Sequence, residues 1–419
     1  MKTTVLINTL AQIIGKFFTA GATILISFII ARWYGAAGYG EFTKITTYVA
    51  IFYLLSDFGF NAMYLQRSPN EKNPDTEWQV LFGIRIISSF LLIFLALSVL
   101  SFLPQQGTDG YTNFVRLGII LFIPTILFQA VIMTANAYFQ KHLLYSRSTI
   151  AVGIGSFVSL LFLFWVTKQT SPAQGIITMI AGLSAGSMVM ALCSLLFVKH
   201  LRQGVTPIFS MSQMTPLFIA TIPFGLTLLF NVIYFRIDSI VLTLVRSTSE
   251  VGVYGLAYKV FELALIIPTF FMNALYPIIL RTKEKNTDAF YNLLKKTAIL
   301  LSVFAVSGTI ILWIAAPYMT LVKPDFYGSI LPLRILSLGL PFFFLSSLTM
   351  WIFIVQKKQK VLLFIYGFSM ISTMLLDVWL IPVYGYVGAA WITVLSESIV
   401  LAISSIVLVN NFKKSDIKQ

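Results

Sequence analysis

Twelve ionisable residues fall inside stretches of this chain that are otherwise long and apolar, and these are the groups with chemistry to offer. Seven are basic: Lys16, Lys44, Arg85, Arg116, Arg236, Lys259 and Arg334. Five are acidic: Asp57, Asp238, Glu262, Asp377 and Glu397. An ionised group inside a bilayer costs about 3 kcal/mol or more, so it faces a cavity or a partner. Amines and guanidinium groups hold phosphate oxygens. Lysine does so as a compact point charge, which suits a phosphate that must be released again. Lys16 lies near mid-membrane, beyond snorkelling reach, and is expected to line a cavity. Lys44 and Lys259 occupy matching places near the outer ends of two spans, where reaching the headgroups is the competing role. Arg236 falls in the outer part of a long span and is the fourth expected cavity base. Arg85, Arg116 and Arg334 lie nearer membrane edges and read as structural. Lys259 and Glu262 are three apart on one helix and can pair.

Each acid is a candidate carrier of a coupling proton or Na⁺. Thr373 and Asp377, four apart, share a helix face. Carboxylate and hydroxyl oxygens suit a small hard cation. The competing role for Asp238 is an ion pair with a base on a neighbouring helix. Asp57 shares a face with Asn61 and Tyr64 and reads as structural. Cys193 is the one cysteine, so no intrachain disulfide forms. It reads as a lipid- or core-facing residue, and His142 and His200 as membrane-edge residues. The sequence holds no Gly-rich phosphate loop, metal-ligand cluster or nucleophile–base arrangement.

The elements that position these residues are membrane helices. The chain is 58% hydrophobic and 11% charged, outside the globular range. A crossing needs about 20 mostly apolar residues. Such spans are predicted near 5–31, 42–66, 78–103, 113–138, 146–167, 174–199, 215–245, 252–280, 293–316, 328–356, 360–381 and 386–411. With a cytoplasmic N-terminus, 18 basic residues fall in cytoplasmic breaks and 4 in the opposite ones. That asymmetry places both termini in the cytoplasm. It also explains most of the formal charge of +14. The bases are scattered over short loops without forming a patch, which argues against nucleic acid as a partner. The first span is too polar at Asn8, Gln12 and Lys16 to read as a cleaved signal peptide.

The longest polar breaks, near 67–77, 104–112, 200–214 and 281–292, are too short to fold alone. A soluble catalytic domain is therefore not expected, and transport is the natural activity. Division near 204–212 gives lobes at 1–205 and 206–419 with six helices each. Tyr39-Gly40 is echoed by Tyr254-Gly255, and Lys44 by Lys259, at one offset. Gly175 and Leu183-Ser184 are echoed by Gly388 and Leu395-Ser396. Two parallel lobes with a substrate path at their interface are a recurring plan in transporters. Pro124, Pro223, Pro268 and Pro341 lie well inside spans and are expected to permit bends. Tyr48, Tyr53, Tyr254 and Tyr258 are candidates for stacking on sugar rings.

The run Ala31-Arg32-Trp33-Tyr34-Gly35-Ala36-Ala37-Gly38-Tyr39-Gly40-Glu41-Phe42 resembles the first periplasmic turn of polysaccharide flippases. Ser56-Asp57-Phe58-Gly59-Phe60-Asn61 resembles a second motif of that family. Tyr234-Phe235-Arg236-Ile237-Asp238-Ser239 with Val251-Gly252-Val253-Tyr254-Gly255 resembles its seventh-to-eighth helix region. These are the O-antigen and capsule repeat-unit translocases, related to lipid II flippases and multidrug efflux antiporters. The resemblance covers essentially the whole chain. It implies an all-α inner-membrane protein whose two six-helix lobes surround a central cavity. It also implies movement of an undecaprenyl-pyrophosphate-linked oligosaccharide from the inner to the outer leaflet. Lys16, Lys44, Arg236 and Lys259 would then neutralise the diphosphate. The resemblance to lipid II flippases implies a Na⁺ site on three helices of the C-terminal lobe, at Asp238, Thr373, Asp377 and Thr393. No cofactor is expected beyond Na⁺ or H⁺ as coupling ion. Membrane lipids, a polysaccharide polymerase and chain-length proteins are the implied partners. A multidrug antiporter of the same superfamily is the alternative within transport, and the buried bases argue against it. A membrane glycan-assembly enzyme is the alternative of a different class.

Overall fold

The computed structural model describes residues 2–67, 74–107, 109–169, 171–201, 204–356 and 358–416. Side chains at 2–14, 16–17, 62, 65–67, 74–75, 106, 274, 277, 284–285, 287, 359 and 411–416 lie outside that description. Among the described residues the chain is helical throughout apart from one short hairpin.

The N-terminal compact unit runs from Met1 to Val232. It contains α1 (Lys2–Leu55), α2 (Phe60–Arg67) and α3 (Pro74–Phe102), then the hairpin β1 (Gln105–Gln106) with β2 (Asp109–Gly110). It continues through α4 (Asn113–Phe122), α5 (Thr125–Lys141), α6 (Tyr145–Val166) and α7 (Pro172–Leu201) to α8 (Met211–Tyr234). The second unit, Ile233–Gln419, holds α9 (Ile237–Val245), α10 (Thr248–Ala264), α11 (Ile266–Lys285) and α12 (Thr287–Ala315). After two 3₁₀ turns come α13 (Ile330–Leu338), α14 (Leu340–Val355) and α15 (Gln359–Asp416). The division follows Val232, beyond the expected lobe boundary at 205/206. The packing of α8 accounts for its place in the first unit: Phe218 stacks on Phe58 at 5.9 Å.

Among the described residues nine helices are long and apolar enough to cross a membrane, or ten with Pro324–Leu338 and Leu340–Val355 joined across a 40° bend. Two are too long for one crossing. At ~1.5 Å per residue, the 54 residues of α1 and the 58 of α15 would each run more than twice the ~30 Å hydrocarbon core. Each is interrupted by one glycine in the left-handed half of backbone space, Gly35 (φ 68°, ψ −169°) and Gly385 (φ 59°, ψ −147°). That region is essentially closed to residues with a Cβ. In α15 the chain doubles back there. Thr373 Oγ1 donates to Ser396 Oγ at 2.8 Å, whereas 23 residues of straight helix would hold them about 35 Å apart. Dividing both helices at these glycines yields the twelve expected crossings among the described residues. The ten-residue turn expected at 32–41 is thus a single left-handed residue inside continuous helix.

Five expected spans are broken internally, the fourth at 123–124 and the eighth at Leu265 among them. The second ends at Leu55, and Phe58 (φ 38°) and Gly59 (φ 78°) carry the chain into α2. Breaks at 235–236 and at Gly339 divide the seventh and tenth spans. Pro124 and Pro341 sit at breaks, and Pro268 follows the α10–α11 break, as ring clash and a missing N–H demand. Pro223, by contrast, lies inside uninterrupted α8. On α3, Phe90, Leu91 and Phe94 are 57–71% exposed, the apolar outer surface that lipid accepts. The opposite face buries Arg85, Ser89 and Ala96. Gly155, Gly182 and Gly186 let α6 and α7 approach closely, and Ser159 donates to Gly182 O at 3.3 Å, the small-residue packing of membrane helices.

Candidate functional site

In the C-terminal unit the break at 235–236 frees backbone N–H groups at the start of α9. Asp238 lies in that first helical turn, where a carboxylate is favoured by the helix dipole. Its Oδ1 accepts from Ser239 N at 2.6 Å, and its Oδ2 accepts from Tyr254 Oη. Tyr254 Oη also lies 3.4 Å from Thr393 Oγ1 on the returning arm of α15. Asp238 lines a small cavity with Tyr234, Tyr258, Thr373, Thr393 and Ser396, together with Phe235 and Phe343. The cavity has room for about one water-sized guest. Asp377, one helical turn beyond Thr373, is fully buried and within electrostatic reach of Asp238. Neither of its carboxylate oxygens has a hydrogen-bond partner. Two buried carboxylates at close quarters are tolerated when they share a proton or a cation. The oxygen donors around them suit a small hard cation. The four residues expected at the ion site are therefore brought together.

A basic cluster lies nearby in the same unit. Glu262 Oε1 accepts from Arg236 at 3.0 Å, and Oε2 from Lys259 Nζ at 3.1 Å. All three side chains are partly exposed, at 22%, 29% and 34% for Arg236, Lys259 and Glu262. One carboxylate between two cations leaves an excess positive charge. The expected i,i+3 pair forms, and Arg236 joins it from the break before α9. The competing pairing of Asp238 with a base does not form, because Arg236 turns to Glu262 while hydroxyl and amide donors satisfy Asp238.

The N-terminal unit treats its charges differently. Arg85, wholly buried, donates to Asp57 Oδ1 at 2.5 Å, to Asn61 Oδ1 at 2.9 Å and to Thr134 Oγ1 at 3.4 Å. This confirms the structural reading of Asp57 and Arg85. Arg116 ties down the hairpin end through Leu103 O at 2.7 Å and Tyr111 O at 3.0 Å. Lys44, expected to line the cavity, is only 1% exposed, in the field of Glu41 and Asp109. The side chain of Lys16 lies outside the described residues.

Two tyrosines expected to stack on sugars are committed elsewhere. Tyr48 donates to Ala96 O at 2.6 Å and is 3% exposed, while Tyr254 holds Asp238 and is 1% exposed. Tyr258 is buried as well and donates to Phe235 O at 3.3 Å. The hydroxyls of Tyr234, Tyr254, Ser346 and Ser396 were not anticipated as site groups. Tyr234, four residues before Asp238, and Ser396, beside Glu397, offered a signal in the sequence; Tyr254 and Ser346 are distant in sequence from the acids they bind.

Comparison with known proteins places this arrangement. The family model described as "Polysaccharide biosynthesis protein" matches residues 5–283, about two thirds of the chain, and the MatE model matches 223–379. No curated protein sequence matches. The inward-closed lipid II flippase MurJ superposes with a TM-score of 0.76 at 17% identity, covering 95% of this chain and 87% of that one. An inward-facing multidrug resistance MATE transporter of the MOP superfamily gives 0.75 at 13%, covering 97% and 98%. A MOP superfamily transporter from Pyrococcus furiosus gives 0.67 at 13%, covering 100% and 97%. The chain thus has the fold of these multi-pass transporters, and it belongs to the polysaccharide biosynthesis protein family.

Proposed function

We propose that this member of the polysaccharide biosynthesis protein family is a flippase for polyprenyl-pyrophosphate-linked oligosaccharide repeat units of O-antigen or capsule type. It carries them from the inner to the outer leaflet of the bacterial cytoplasmic membrane by alternating access, with both termini cytoplasmic. The observation that carries the reading is the partly exposed pair Arg236 and Lys259 sharing the single carboxylate of Glu262. Such a pair attracts a diphosphate and repels an organic cation. Lys16 and Lys44 complete the phosphate-receiving set in this reading, Lys44 on a conformation that exposes it.

A cation, Na⁺ or H⁺, entering between Asp238, Thr373, Asp377 and Thr393 resets the carrier. The bare oxygens of Asp377 support this role. The cavity suits a proton or small ion and is too confined for a drug-sized cation, which speaks against the multidrug-antiporter reading. Breaks at 235–236, 265 and 339 are where the C-terminal helices bend during the cycle.

Proteoliposomes carrying a defined polyprenyl-pyrophosphate oligosaccharide, scored for headgroup exposure to an impermeant reagent, test the proposal. The wild type moves the headgroup without making or breaking a glycosidic bond. The double variant Arg236→Ala/Lys259→Ala slows movement about tenfold, equivalent to ~1.4 kcal/mol. A wild type that leaves the lipid in place, or a double variant as fast as wild type, overturns it.

A further inference from the structure

Glu397 lies on the returning arm of α15, immediately after Ser396 of the cavity wall. Its side chain is 2% exposed inside a membrane-spanning helix. No cation pairs with it. Its hydrogen-bond partners are two hydroxyls: Tyr234 Oη donates to Oε2 at 2.8 Å, and Ser346 Oγ donates to Oε1. The other titratable groups in its field are the phenols of Tyr366, from the first arm of α15, and Tyr258, from α10. Among the described residues, the groups that reach Glu397 are thus hydroxyls and phenols, and no ion pair forms with it. A carboxylate so placed is held ionised by the two donors or becomes neutral by taking up a proton.

Ser346 can serve both states. Its hydroxyl has a second acceptor, Phe343 O, at 3.1 Å. A serine carries one proton and two lone pairs. When Glu397 is ionised, Ser346 donates to it. When Glu397 is protonated, its own O–H donates to Ser346 Oγ, whose proton turns to Phe343 O. Neither state leaves a buried donor unsatisfied. Tyr234 reaches the opposite oxygen and also lines the cavity that holds Asp238. A proton arriving from water in that cavity is accepted by the phenol oxygen as the phenol O–H passes to Oε2; half a turn of the carboxyl about Cγ–Cδ then presents that O–H to Ser346 Oγ, and the net event is uptake of one proton.

We propose that Glu397 is a proton-carrying site, separate from the Asp238–Asp377 pair and connected to its cavity through Tyr234. This deepens the proposed function and rests on it for its place in a transport cycle, but proton binding is measurable without transport. Potentiometric titration of the purified full-length protein in detergent, with Glu397→Gln as isosteric variant, decides it. The wild type takes up one more proton per chain than E397Q between alkaline and acidic pH. Ser346→Ala keeps the carboxyl but removes a donor to its ionised form, so its proton is taken up at higher pH than in the wild type. Equal proton uptake by wild type and E397Q overturns the site. An unmoved titration in S346A overturns the serine switch. In proteoliposomes, the ratio of pH-gradient-driven to gradient-free flipping falls toward one in E397Q. A wild type that flips nothing while E397Q still lacks its proton defeats the transport reading alone. Normal flipping with unchanged uptake in E397Q defeats this inference alone.

Discussion

Asp57 in the N-terminal unit meets the guanidinium of Arg85 at 2.5 Å, whereas Asp377 in the C-terminal unit is wholly buried with both oxygens bare. Asp238 and Glu397 extend the contrast, since hydroxyl and amide groups bind both and no cation pairs with either. A carboxylate already paired with a buried arginine, itself held by Asn61 and Thr134, has nothing left to exchange. One held by groups that can reverse their hydrogen bonds, or by nothing, is ready to accept a proton or a cation. The first unit commits Asp57 to architecture, whereas in the second Asp238, Asp377 and Glu397 stand without an ion pair among the described residues. The bases follow the same division: Arg85 and Arg116 are bound to fixed partners, while Arg236 and Lys259 share one carboxylate and stay partly exposed.

The strongest way to break this contrast is Arg85→Met. Removing one partner of a buried pair leaves the other uncompensated, so the protein loses about 3 kcal/mol, and Asp57→Asn in addition returns most of it. Thermal unfolding in detergent reads both. A single variant as stable as wild type would remove the distinction between the units. Next, Gly385→Ala forces a Cβ into a backbone region reserved for glycine, at about 2 kcal/mol, and sets it against Glu250 and Arg246. Because this turn assembles the Thr373–Ser396 wall, G385A also weakens the response of stability to Na⁺ or pH, whereas Gly35→Ala costs similar stability without touching that response. Smallest is Asp377→Asn. Wild type gains ~1.4 kcal/mol at tenfold excess of the coupling cation over its Kd, and D377N gains nothing. An unfolding midpoint in D377N that still climbs with cation concentration would place the ion elsewhere.

Much of this was legible in the residues. The twelve crossings follow from apolar lengths, the Lys259–Glu262 pair from its i,i+3 spacing, and the structural part of Asp57 from Asn61 on its face. Partners distant in sequence were not legible. Arg85 finds Asp57 28 positions away, and Tyr234 finds Glu397 163 positions away, because helix rotation in a bilayer leaves little amphipathic trace when both faces are apolar. The tightness of the glycine turns was missed although a signal existed. Tyr34-Gly35-Ala36-Ala37-Gly38 recurs as Tyr384-Gly385-Tyr386-Val387-Gly388, with the left-handed glycine at the same place in both. Lys44 looked like its counterpart Lys259, but local carboxylates and packing close it off.

The doubled-back α15 has a mechanical consequence. Its two arms are pinned together by Thr373 and Ser396, and Arg246 grips the carbonyls of Ile381 and Val383 just before the bend. The side chains of Thr373, Asp377 and Thr393 therefore ride on one stiff clasp. Asp238 and Tyr254, on short helices bounded by breaks, are mounted apart from that clasp, so a bend at those breaks would carry them away from it while Thr373, Asp377 and Thr393 move together.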